Sequence, residues 1–308
     1  MFVTRSQRER VIADWKSERE KRAGISIAHK LDVKTENKTY NWGGKDYALN
    51  LIHPLGKANH LPTIFDIHSG GFARGTHVTD IPMDEYLARQ GLTVVNIEYP
   101  QPEVASYRDT LLAIVAAMRE AMKSEWVDRN YLFDMGLSAG ASYALVIACL
   151  SSDAQQAEEF LGQALSDLHF QGIILNHPVV YLTQFYKGLK PAERSVLKKF
   201  MFPRKDSLYR LVKDPSGLLH SVQDKLPPIR IIASQGDIKY FYQSQQLITY
   251  LTNQDFKIAS QVLSDENLDH LFNVKDYENL NSFIVNNTTA NFVLTNSRLR
   301  RVEDVSNS

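Results

Sequence analysis

A single cysteine, Cys149, occurs in the 308 residues, so no intramolecular disulfide can form. It lies in the apolar stretch Leu145 to Leu150, where a thiol packs as a small, inert hydrophobe. No stretch reaches the roughly 18 consecutive apolar residues that a membrane-spanning helix needs, so stable membrane insertion is not expected. The N-terminus, MFVTRSQRERVIADWKSERE, lacks the apolar core and small-residue cleavage site of a secretory signal. The cytoplasm is therefore the default location, and the sequons at Asn37, Asn286 and Asn287 carry no weight. Charge of one sign is also missing: 35 Lys and Arg balance 35 Asp and Glu. A neutral chain gives no electrostatic reason to expect nucleic acid or an anionic membrane as a partner.

With 44% apolar residues and this length, the chain can bury a large core without a disulfide or a metal. Length alone suggests two domains, but α/β folds often exceed 250 residues around one sheet. The apolar runs Thr63 to Ile67, Thr93 to Ile97, Tyr131 to Met135, Ile173 to Leu175, Ile229 to Ala233 and Ile258 to Leu263 read as strands buried on both faces of a parallel sheet. Upstream, Ile25 to Val33 and Tyr47 to His53 read as strands flanking the turn Asn41-Trp42-Gly43-Gly44. Helical patterns at Tyr107 to Ser124, Ala139 to Leu150 and Tyr242 to Thr252 alternate with the later strands. Strand–helix alternation predicts an α/β fold with a mostly parallel, doubly wound sheet of about eight strands and its chemistry at the strands' carboxyl ends.

Two segments stand apart. Residues 1–24 form a charged N-terminal helical segment, capped by Thr4 with Gln7 and stopped at Gly24, with Val11, Ile12 and Trp15 as its apolar stripe. It is expected to pack on or near a cap; part of a lid or a homodimer contact is the alternative. Residues 25–308 form the main domain. Within it, about 180 to 225 shows no strong strand signal and carries Tyr181, Phe185, Tyr186, Phe200, Phe202 and Tyr209, which reads as a small helical cap insertion. The polar tail from Asn286 is expected to fray.

Gly136-Leu137-Ser138-Ala139-Gly140 matches G-x-S-x-G between a strand and a helix rich in small residues. That context makes Ser138 a nucleophile lifted clear of the sheet on a strained turn. A serine hydroxyl needs a base to attack at neutral pH. The chain order Ser, Asp, His points to His270 as the base and to Asp237, in the Gly-Asp turn after a strand, as the acid. Asp269 and Asp265 are the rival acids. The loop His68-Ser69-Gly70-Gly71-Phe72 follows a strand, and its glycines permit close approach of backbone N–H groups to a developing oxyanion. Gly70, Gly71 and Ala139 are the candidate donors.

On these residues the chain resembles the α/β-hydrolases, in particular the hormone-sensitive-lipase-like carboxylesterases. His68-Ser69-Gly70-Gly71-Phe72 resembles that group's His-Gly-Gly-Gly-Phe loop, and Tyr99-Pro100-Gln101-Pro102-Glu103 is similar to its Tyr-Arg-Leu-Ala-Pro-Glu segment. Ser69 departs from the first glycine, and the second segment is degraded. The broader lipase, esterase and kynurenine-formamidase-like set fits as well. The resemblance runs roughly from Tyr47 to Val274 and implies ester or small-amide hydrolysis with neither metal nor organic cofactor. The expected partner is a small, partly apolar ester. An amidase or formamidase with the same triad, and a non-catalytic binding protein on a hydrolase scaffold, are the alternatives.

Other residues are read structurally. His53, His60, His68 and His77 are too unevenly spaced for a metal site, and His68 is expected to anchor its own loop by a hydrogen bond. His177 sits at a strand end and could line the site. Tyr240-Phe241-Tyr242 reads first as core packing and second as a pocket wall. Lys198-Lys199 and Arg298 to Arg301 are expected to be solvated.

Overall fold

Gly43 and Gly44 take φ of +59° and +78°, the left-handed conformation that a two-residue hairpin turn of the favoured twist demands. They join β1 (Val33–Trp42) to β2 (Lys45–Pro54), pairing Trp42 directly with Lys45. The remaining strands are β3 (Leu61–Ile67), β4 (Thr93–Ile97), β5 (Val127–Leu137), β6 (Phe170–Asn176), β7 (Ile229–Ser234) and β8 (Ile258–Leu263). They form one sheet in the order β1-β2-β4-β3-β5-β6-β7-β8. Only the β1–β2 and β2–β4 pairings are antiparallel. This computed structural model describes residues 3–25, 32–56, 60–203, 207–276 and 279–306, with no account of the side chains of 207 and 299–306.

The helices are α1 (Arg5–Ala23), α2 (Ile81–Arg89), α3 (Tyr107–Ala121), α4 (Gly140–Ser151), α5 (Ala154–Leu161), α6 (Leu182–Lys187), α7 (Pro191–Met201), α8 (Ser207–Val212), α9 (Ser216–Ser221), α10 (Phe241–Asn253), α11 (Phe272–Lys275) and α12 (Leu280–Ser306). Side chains alternate across the sheet. Phe65, Ile67, Val95 and Ile97 pack with α3, α4 and α10 on one face. Ile64, Val94, Phe133 and Met135 pack with α2 and α12 on the other. The doubly wound, eight-stranded reading of the sequence is therefore the observed one. Among the described residues, no helix is long and apolar enough to cross a membrane.

Three sequence expectations need correction. Of the expected strand Ile25 to Val33, 26–31 lie outside the described residues and neither Ile25 nor Asp32 is in a strand; β1 runs from Val33 through the polar stretch to Trp42, where the sequence reads as a turn. β1 is a sheet edge, so its polar residues face solvent, and only Val33 and Tyr40 are buried. Edge position likewise leaves β8 half exposed rather than buried on both faces. Residues 286–306, expected to fray, lie within α12, where Val285, Ala290 and Val293 are buried. Its polar residues find partners: Asn273 donates to Asn286 (2.9 Å) and Arg230 to Thr289 (3.1 Å). The 27-residue helix thus covers a sheet face through a mixed polar and apolar stripe that apolar periodicity alone does not reveal.

Four short helices, α6 to α9, occupy the chain between β6 and β7. α1 is anchored beside them. Its capping box forms as the sequence indicates, and Gly24 terminates it. Trp15 is buried under the Arg74 guanidinium, 5.4 Å from the ring centroid. Arg74 also pairs with Glu18 of α1 (3.2 Å) and with Glu193 of α7. Arg19 of α1 donates to the Ala73 carbonyl and to Glu103.

Candidate active site

Ser138 sits between β5 and α4 with φ +54°, strained for a residue with a Cβ. The flanking glycines are steric requirements. A Cβ at Gly136 would lie 2.5 Å from Ala141 Cα, and one at Gly140 would lie 2.0 Å from the Ile67 carbonyl oxygen. The turn is tied down from both sides. Ser138 N–H donates to Asn176 O (2.9 Å), and Ser138 O accepts from Val179 N–H (3.0 Å).

His270 arrives from the loop between β8 and α11. Ser138 Oγ–H donates to its Nε2 at 2.7 Å, and its Nδ1–H donates to Asp237 Oδ2 at 2.6 Å. Asp237 is buried and its second oxygen accepts the Tyr240 N–H (3.1 Å), which fixes the carboxylate plane. The three side chains, far apart in sequence, therefore meet in one hydrogen-bonded row. The rival acids lie elsewhere. Asp269 pairs with Lys275 at the surface (3.0 Å), and Asp265 accepts the Asn267 N–H in its own turn (2.9 Å).

The glycine loop is folded tightly after β3. Gly70, Gly71 and Phe72 take φ of +130°, +59° and +68° in succession. The Gly70 carbonyl accepts N–H bonds from Ala73 (3.1 Å) and Arg74 (2.8 Å), so the loop turns back on itself. The contact of Gly140 with the Ile67 and His68 carbonyls sets the first turn of α4, with Ala139, beside this loop. Ser69, where the resembling group has glycine, does not require positive φ, so its side chain is accommodated. His68 is buried and its Nδ1–H donates to the Ser69 carbonyl at 2.6 Å, the anchoring bond expected of it.

Aromatic rings surround the row. Tyr240 lies 4.9 Å from His270, and Phe185 of α6 spans from Tyr240 (6.2 Å) to Phe72 (5.2 Å). Tyr242 is exposed, so core packing does not hold for it, whereas Tyr240 is half-buried against the core and also stands beside the imidazole. His177, with φ +48°, is buried edge-on under His270 at 5.6 Å, held between Asn176 and Ser234. Burial, then the neighbouring His270 charge, holds its pKa well below the usual histidine range, so it is a neutral floor to the site.

The remaining candidates are dispersed. His53 stacks on Trp126 (3.6 Å) and bonds to Pro54 O, while His77 meets Glu98. No group of three or more His, Cys, Asp or Glu side chains arranged to hold a metal ion occurs among the described residues. Cys149 is fully buried, which pushes its thiol pKa up. Lys198 and Lys199 are exposed, as is Arg298, whereas the side chains of 299–301 lie outside the described residues. Sequence reading passed over Glu98, which joins both ends of the glycine loop. It also passed over Asp66, Asp84 and Asp134, carboxyls buried in the sheet region. Burial raises the pKa of all three; repulsion from Asp84 and Asp80 adds to it for Asp66, and repulsion from Asp80 adds to it for Asp84.

Esterase B from Lactobacillus rhamnosis superposes with a TM-score of 0.81, at 21% identity over 97% of this chain and 98% of its own. An esterase from Rhizomucor miehei gives 0.69 at 20% identity, over 94% and 91%. A thermostable esterase from Pseudomonas putida ECU1011 gives 0.63 at 17%, over 87% and 82%. No curated protein matches the chain in sequence. At such identities the similarity shows the fold, which is that of the α/β-hydrolases. Residues 49–251, well over half of the chain and spanning the glycine loop, the serine elbow and Asp237, match a single family model, and the chain belongs to the BD-FAE family.

Proposed function

We propose that the protein is a serine hydrolase that cleaves small carboxylic esters through an acyl-enzyme intermediate. The observation that carries this reading is the Asp237–His270–Ser138 row, with contacts of 2.6 and 2.7 Å. Ser138 Oγ attacks the acyl carbon as His270 Nε2 takes its proton. Asp237 holds the Nδ1–H tautomer and stabilises the imidazolium. Negative charge builds on the carbonyl oxygen, where the N–H groups of Gly70, Gly71 and Ala139 receive it. His270 then protonates the leaving alcohol and activates the water that releases the acid.

A short substrate is supported by the closeness of Phe72, Phe185 and Tyr240 around the row. The Lactobacillus esterase was solved with a C4-C4 tributyrin phosphonate inhibitor, which agrees with a short acyl chain here. In this reading α6 to α9 act as the cap, within about 180 to 225, and the N-terminal segment 1–24 steadies it. The test is a fluorophosphonate probe on the folded protein, followed by p-nitrophenyl acetate turnover. Labelling at Ser138 and a burst abolished by Ser138→Ala are expected. An unlabelled Ser138, or a burst that survives the substitution, would overturn the proposal. Formamide turnover above ester turnover would replace the ester by an amide.

A further inference from the structure

The Glu98 carboxylate follows β4 and meets both ends of the glycine loop. One oxygen accepts from Thr76 Oγ1 (2.9 Å), His77 N–H (3.0 Å) and His77 Nδ1 (2.7 Å). The other lies 3.6 Å from His68 Nε2. At the opposite edge of that imidazole, Nδ1–H donates to the Ser69 carbonyl. Ser69 C=O and Gly70 N–H belong to the same peptide group, and resonance couples the two ends of such a group. A hydrogen bond received at C=O therefore makes the N–H a better donor.

The surroundings are built for this bond. A Cβ at Gly75 would fall 2.6 Å from His68 Nδ1 and 1.7 Å from the Ser69 oxygen, so glycine there leaves the line open. The Tyr99 ring stacks on the imidazole at 3.9 Å while its hydroxyl donates to the His68 carbonyl (2.9 Å), fixing the ring plane. The charged groups facing His68 are Glu98 and Asp80, with His77 sharing Glu98. Burial opposes a charge on His68, but Glu98, Asp80 and the Ser69 carbonyl together outweigh it and raise the imidazole pKa. Burial likewise opposes the Glu98 carboxylate, and His68 and His77 hold it well below the usual range.

Resting on the hydrolase reading above, we propose that Glu98 and His68 are positioning residues that form a second carboxylate–imidazole pair, behind the glycine loop, and polarise the Ser69–Gly70 peptide so that Gly70 N–H holds the oxyanion more strongly. The molecule then carries two parallel relays. Asp237 and His270 act on the nucleophile, and Glu98 and His68 act on the oxyanion donor. Neither His68 nor Glu98 touches the reacting atoms.

The test uses an aryl trifluoromethyl ketone. Its carbonyl carbon takes Ser138 Oγ, the hydroxyl proton passes to His270, and the hemiketal oxygen occupies the oxyanion position. Its pKa, read by fluorine NMR, reports how well that position holds negative charge. Glu98→Gln keeps the shape and an acceptor for Thr76 and His77 but removes the charge. Cooperative strengthening is about 10–30% per bond, and the lost charge adds to it. The hemiketal pKa is expected to rise by about 0.5 to 1 unit, with a matching three- to tenfold fall in kcat, while KM stays within about twofold because the effect is confined to the charged transition state. His68→Asn, which retains an N–H for Ser69 O without a charge, should shift the pKa in the same direction, and it decides alone if Glu98→Gln does not fold. A hemiketal pKa unchanged in the folded variants would overturn the inference, whatever happens to thermal stability. Wild-type protein that forms no adduct would overturn the hydrolase reading and this inference together.

Discussion

Asp134 lies in the middle of β5, is fully buried, and neither of its oxygens has a hydrogen-bond partner among the described residues. Burial alone drives its pKa well above the usual carboxylate range. The carboxyl is therefore protonated in the folded protein at pH values where the unfolded chain, with a pKa near 3.9, has already ionised. The sign follows: a raised acid pKa means that the folded state binds the proton more tightly, so stability is greatest at low pH and falls as pH climbs. The fall begins near the unfolded pKa and ends at the folded one. Its slope is about 1.4 kcal/mol per pH unit for one proton. Asp134→Asn removes this proton with almost no change in shape. The variant should match wild type near pH 3 and exceed it by about 0.5 kcal/mol at pH 4 and about 1.5 kcal/mol at pH 5, the gap widening at that slope until the folded carboxyl ionises. Asp66 and Asp84 impose similar slopes, but these persist in the variant and cancel in the difference. Urea unfolding by circular dichroism at pH 4, 5 and 6 reads the gap as a shift in midpoint. Parallel stability curves for the two proteins would show that Asp134 is not held neutral, and the burial argument would fall.

Other expectations bear on the site and its supports. Asp237→Asn should lower kcat on the order of 10⁴-fold, whereas Asp269→Asn, which breaks only an exposed pair with Lys275, should leave kcat near wild type; the reverse order would transfer the acid role. Gly140→Ala places a methyl 2.0 Å from the Ile67 oxygen, so the elbow must shift, and loss of both esterase turnover and thermal stability is expected. Arg74→Ala removes contacts to Trp15, Glu18 and Glu193 at once. It should lower stability by about 1–3 kcal/mol and increase proteolytic cleavage within α1; unchanged cleavage would mean that α1 is held by other contacts.

The parts of the fold that were legible in the sequence are those governed by short-range rules. β4 and β8 match the apolar runs Thr93–Ile97 and Ile258–Leu263 residue for residue. The capping box expected at Thr4 with Gln7 is formed, and Ser106 with Asp109 forms another at the start of α3. The G-x-S-x-G elbow was legible because its glycines answer a local steric demand. α2 and α12 were not legible. α2 is short and begins Ile81-Pro82 without a side-chain cap, and α12 buries Ser282, Asn286, Thr289 and Ser297 in the face that apolar periodicity would assign to the core.

Local chemistry along the chain determined which segments become strands, where the serine turn forms, and that three residue types of a relay are present in a workable order. Tertiary structure alone decided which acid faces His270, since Asp237 and Asp269 are equally carboxylates and only the arrangement of β7 and the loop after β8 brings one of them within 2.6 Å. It also decided that Glu98 and His68, thirty residues apart, share the back of the glycine loop. The physical reason is common to both. Hydrogen-bond propensity and turn sterics act over a few residues and are written in order along the chain, whereas a charge acts on whatever the folded sheet places beside it.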